Sequence, residues 1–91
     1  GKKAASHKTL TVTIPEDLNY TDIFDDIFRE YTRSWELVRV KTTDMGSLFK
    51  LTYDIELRDA TKEKEMIDAI RCRNGNLEVG IARQETAVTE L

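Results

Sequence analysis

From residue 49 to residue 58 apolar and polar side chains alternate without interruption. Phe49, Leu51, Tyr53, Ile55 and Leu57 fall on one side, and Lys50, Thr52, Asp54, Glu56 and Arg58 on the other. A period of two marks a strand with one buried face and one wet face. Such a strand needs a second layer to cover its apolar side. Residues 8–14 repeat the alternation, with Leu10, Val12 and Ile14 opposite Thr9, Thr11 and Thr13, and they are rich in β-branched side chains. Pro15 ends this strand, because proline donates no ladder hydrogen bond.

The covering layer is helical. After Asn19, a candidate N-cap with Asp22 three residues on, Tyr20, Ile23, Phe24, Ile27, Phe28 and Tyr31 recur at helical spacing. Asp22, Asp25, Asp26, Arg29 and Glu30 take the opposite face. A second helix is expected over residues 62–72, capped by Thr61, with Met66, Ile67 and Ile70 as its buried stripe. Arg71 and Arg73 suit the negative end of its dipole, and Gly75 in Asn74-Gly75-Asn76 is the natural left-handed residue that stops it.

Residues 35–42 read as an edge strand with imperfect alternation: Val38 and Val40 share one face, Trp35, Leu37, Arg39 and Lys41 the other. Thr43-Asp44-Met45-Gly46-Ser47 then forms the hairpin turn. Residues 77–83 make the last strand, with Leu77, Val79 and Ile81 inward. The order is β-α-β-β-α-β. With right-handed crossovers this predicts an α+β fold of the ferredoxin-like class, a four-stranded antiparallel sheet with two helices on one face. The first and third strands, which alternate most cleanly, are then central.

Composition narrows the function. Ninety-one residues, 40% apolar and 34% charged, suit one soluble globular domain able to bury a core without metal or disulfide. A net charge of −3 argues against a nucleic-acid partner. The single cysteine, Cys72, leaves no internal disulfide and suits a reducing compartment. No apolar run approaches the ~20 residues of a membrane span. Residues 1–8 read as a flexible linker or tail, 9–84 as the folded domain and 85–91 as a C-terminal tail. The absence of an initiator Met suggests a processed or excised segment.

Three stretches carry a resemblance: Leu10-Thr11-Val12-Thr13-Ile14-Pro15-Glu16-Asp17-Leu18, Val38-Arg39-Val40-Lys41-Thr42-Thr43-Asp44-Met45-Gly46-Ser47-Leu48, and Arg71-Cys72-Arg73-Asn74-Gly75-Asn76-Leu77. Across about residues 9–84 the chain resembles the C-terminal domain of the bacterial family called domain of unknown function 4956. The resemblance implies a cytoplasmic domain on the inner-membrane side of an integral membrane protein, often encoded near polyphosphate-polymerase-like and spore-coat-kinase-like proteins. It carries over no catalytic residue. The fold is also similar to the regulatory domains of MgtC-type membrane proteins and to amino-acid-binding ACT domains. Lys2, Lys3 and Lys8 fit a segment that follows a membrane span.

Candidate sites are few. Arg71, Arg73, Asn74, Gly75 and Asn76 offer guanidinium forks and backbone N–H groups to a small anion or amino acid; a dipole-matched helix exit explains the same residues. Met45, with Gly46 and Ser47, sits at a hairpin tip where turn chemistry requires no methionine, which suggests a docking contact. Trp35 and Leu37 are placed on the open sheet face as an exposed apolar patch of the kind that mediates homodimers, unless a bulge turns them into the core. Asp22, Asp25, Asp26 and Glu30 share a helix, but one helix face does not wrap a hard cation, so no metal or cofactor is expected. His7 lies in the tail without a second histidine. The loop Pro15-Glu16-Asp17-Leu18 has neither the arginine of a phosphatase cradle nor a Cys-x-x-Cys metal clamp, and no nucleophile–base pair appears. The expectation is a non-catalytic regulatory or interaction domain, whose partner is a second copy, another protein or the membrane-embedded remainder of its parent. The alternative is an ACT-like sensor of a small-molecule ligand.

Overall fold

The alternating strands lie at the centre of the sheet. The computed structural model describes residues 5–84, apart from the side chain of Asp44. Along them run β1 (His7–Pro15), α1 (Asp25–Tyr31), β2 (Thr32–Thr43), β3 (Leu48–Leu57), α2 (Glu63–Arg73) and β4 (Val79–Arg83). The sheet order is β2-β3-β1-β4 and each neighbouring pair is antiparallel. β1 and β3 pair from His7↔Glu56 to Pro15↔Leu48. Strand β1 therefore begins at His7, inside the stretch expected to be a tail.

One core fills the space between sheet and helices. Leu10, Val12 and Ile14 of β1 and Leu51, Tyr53, Ile55 and Leu57 of β3 meet Ile27 and Phe28 of α1 and Met66 and Ile70 of α2. Phe28 is the aromatic hub: its ring lies 4.7 Å from that of Tyr53, 5.8 Å from Trp35 and 6.1 Å from Phe24. Burying each such side chain stabilises the fold by about 1.5–3 kcal/mol. Both helices cover the same side of the sheet, and the molecule is a ferredoxin-like βαββαβ sandwich.

Local chemistry moved several boundaries. Asn19 does not cap a helix; its Oδ1 accepts from the backbone N–H of Thr21 at 3.1 Å and from the Thr21 hydroxyl at 2.8 Å, closing an Asx turn. The helix starts only at Asp25. Asp59, not Thr61, opens the second helical segment: its Oδ1 accepts from Thr61 N at 3.0 Å and Thr61 Oγ1 at 2.6 Å, and a 3-10 turn, Ala60–Lys62, leads into α2. Burial of Leu77 is partial, and β4 begins two residues after it, at Val79.

Strand β2 departs most from expectation. Its register against β3 shifts between Thr32 and Ser34 and again between Leu37 and Arg39. Val38 is the extra residue of the second bulge and stays exposed. Trp35, Leu37 and Val40 consequently oppose Ile55, Tyr53 and Leu51, all on the helix-covered side. Trp35 and Leu37 are half-buried against the core, so their expected place on the open face is corrected. A bulge shifts side-chain parity by one, and the alternative in which a bulge turns Trp35 and Leu37 into the core is the one observed.

Candidate functional site

The helix exit, the hairpin tip and the open sheet face are the places that the sequence singles out. The exit of α2 ends as a Schellman turn. The N–H of Asn74 donates to Ile70 O at 3.0 Å and that of Asn76 to Arg71 O at 3.1 Å, while Gly75 (φ 74°) and Asn76 (φ 64°) are left-handed. Arg73 reaches across to α1. Its Nη1 donates to Ile23 O at 2.9 Å, and both Nη groups grip the Asp26 carboxylate. The hydrogen bonds from Arg73 hold the Asp26 carboxyl below its ordinary value, and the carboxylate raises Arg73 in return. Asn74 is fully buried; its Nδ2 donates to Thr13 O at 2.8 Å and Leu77 O at 3.2 Å.

These contacts divide the five residues expected to hold an anion. Arg73 and Asn74 are engaged by the fold, whereas Arg71, Gly75 and Asn76 line a shallow open depression with Asp68 and Cys72. The Asp68 carboxylate there already pairs with Lys64 at 2.8 Å. An anion in that depression would meet Arg71 without the second guanidinium the sequence suggested.

The hairpin tip is a different kind of place. Met45 projects entirely into solvent, and it does so with φ 58°, a left-handed backbone. For an L residue with a side chain this costs roughly 1–2 kcal/mol. Gly46 beside it takes φ 89°. Ser47 O accepts from the backbone N–H of Glu16 at 3.2 Å, which ties the base of the tip to the end of β1.

On the open face, polar residues run in rows across the strands. Glu36, Asp54, Thr9 and Ala82 oppose one another; the next row is Arg39, Thr52, Thr11 and Gly80. Beyond them lie Lys41, Lys50 and Thr13 on one side, and Ser34, Glu56 and His7 on the other. His7 Nε2 stands 3.5 Å from Glu56 Oε1, and Lys50 Nζ stands 3.9 Å from Glu78 Oε1. Along β2 and β3 one end of the face carries Glu36, Asp54 and Glu56, with His7 beside them, and the other carries Arg39, Lys41 and Lys50, with Glu78 beside them.

A further cluster had no signal in the sequence, because its members lie far apart along the chain. Tyr31 donates its hydroxyl to Glu65 at 2.7 Å, and the pair lines a depression of about 270 Å³ with Glu30, Arg58, Asp59 and Lys62. The hydrogen bond to Glu65 pushes the Tyr31 hydroxyl up to about 12. Among the described residues no group of His, Cys, Asp and Glu is placed to hold a metal ion, and no helix is long and apolar enough to cross a membrane. Cys72 is exposed.

No family model and no curated protein sequence matches the chain. A crystal structure of protein MK0293 from Methanopyrus kandleri AV19 is similar in fold, with a TM-score of 0.59 at 9% sequence identity. The similarity covers 90% of this chain and 49% of that one, so the chain spans about half the length of its structural neighbour. At that identity the likeness concerns the fold alone.

Proposed function

We propose that this domain is a non-catalytic regulatory or interaction module, the cytoplasmic domain of a bacterial integral membrane protein of the kind its sequence resembles. It docks through the β2–β3 hairpin tip. The observation that carries this reading is Met45, an apolar side chain held wholly in solvent at a position where the hairpin turn needs a left-handed backbone and favours Asn, Asp or Gly. A flexible thioether suits a contact that adapts to its partner's surface. The ACT-like sensor reading is second, because Arg73 and Asn74 are occupied within the fold.

A thermal-shift screen against amino acids, nucleotides, phosphate and short polyphosphate separates the two. A ligand at about 100 times its dissociation constant adds ~2.7 kcal/mol, a rise of roughly ten degrees in a domain of this size. No shift is expected. A rise of that size that Arg71→Ala removes would install the sensor reading instead. The parental context is tested by the complete reading frame. Apolar spans of about 20 residues preceding this segment support it, and their absence overturns it.

A further inference from the structure

The open face of the sheet is charged in a self-complementary way. Running along β2 and β3, Glu36, Asp54 and Glu56 occupy one end, and Arg39, Lys41 and Lys50 the other. Between the ends, toward β4, lie the small side chains of Thr9, Thr11, Gly80 and Ala82, with Glu78 beside Lys50 at the basic end and His7 beside Glu56 at the acidic end. Neither helix covers this face, since both bury their apolar stripes in the core on the opposite side.

We propose that this face docks a second copy of the chain, about a two-fold axis that lies across the strands. Two sheets meeting face to face have two such axes available. An axis along the strands would set acid on acid and base on base. An axis across them, between the Asp54 and Thr52 rows, reverses one copy end for end. Glu36 of each copy then faces Arg39 of the other, and Glu56 faces Lys50. Like charges opposed across an interface cost several kcal/mol, so charge selects the crosswise arrangement. A two-fold pairing of this kind uses the same patch on both copies. The small residues toward β4 let the faces approach without long side chains between them.

The size of the face sets the strength. Four strands ~4.8 Å apart and rows about 7 Å apart give roughly 500 Å², below the ~800 Å² per partner of stable complexes. The dimer is therefore weak, reversible and salt-sensitive. It is independent of what the hairpin tip binds, and Met45→Ser leaves it unchanged.

Sedimentation equilibrium of the 91-residue chain, up to about 1 mM and in low and high salt, tests this. The wild type is expected to dimerise in low salt and to weaken about tenfold or more when salt shortens the screening length from ~30 Å to ~3 Å. In the crosswise arrangement Glu36→Lys with Glu56→Lys sets base against base, and Arg39→Glu with Lys50→Glu sets acid against acid. Each variant alone is expected to be monomeric, and their equimolar mixture to dimerise. If a reversed variant fails to fold by circular dichroism, Glu36→Gln with Glu56→Gln replaces it and is expected to weaken the dimer. A monomeric wild type at the highest concentration overturns the proposal. So do charge variants that self-associate like the wild type, or a mixture that stays monomeric.

Discussion

Among the described residues the chain makes two left-handed turns, and they are built in opposite ways. At the exit of α2, Gly75 and Asn76 take positive φ, and the flanking Arg73 and Asn74 bind α1 and β1. Asparagine tolerates this backbone better than other residues with a side chain. At the β2–β3 tip the left-handed residue is Met45, solvated on all sides. The first turn is explained by the fold it ties together. The second closes the β2–β3 hairpin, but it does so with a methionine whose side chain touches nothing in the fold, which directs attention to a contact outside the domain.

The largest effect that would sharpen this contrast is at the anchored turn. Asn74→Asp keeps the side chain's shape but removes its two donors and buries a carboxylate against Thr13 O and Leu77 O. Urea titration should show a loss of about 3 kcal/mol or more. A loss below about 1 kcal/mol would mean that the turn is not an anchor. The hairpin tip should respond with the opposite sign. Met45→Asn puts a residue suited to the left-handed region at position 45, and stability should rise by about 0.5–1 kcal/mol. A fall in the denaturation midpoint would show that Met45 supports the fold, and the docking argument would lose its basis.

The smallest effects are in pH. Asp26 has its carboxyl lowered from 3.8 by Arg73. The unfolded chain therefore takes up this proton first as pH falls, so the contribution is present above about pH 4 and lost as pH drops through the folded value. Asp26→Asn should flatten that acid limb. Tyr31 works in the reverse direction. Its hydroxyl is raised to about 12, so its contribution holds below the unfolded value near 10 and disappears as pH rises through the folded one. Tyr31→Phe should remove that part of the alkaline limb. If either limb is unchanged, that contact between α2 and α1 does not persist in solution.

Much of this molecule is written in its local pattern. The alternation in β1 and β3 assigns every inward side chain of the sheet's centre, because adjacent strand residues must point to opposite faces. The element order and the topology rules then place those strands in the middle, and Gly75 announces the end of α2. The tertiary structure decided the rest. The bulge at Val38 turned Trp35 and Leu37 inward, because packing against Phe28 and Tyr53 outweighs a regular ladder at an edge. Arg73 found Asp26, which lies 47 residues away, and so ceased to be a free anion ligand. Asn19 chose a turn over a helix cap. The charge rows of the open face exist only when β2 and β3 are in register. Each is a contest between local preference and contacts made at a distance, and only the assembled fold sets their relative strengths.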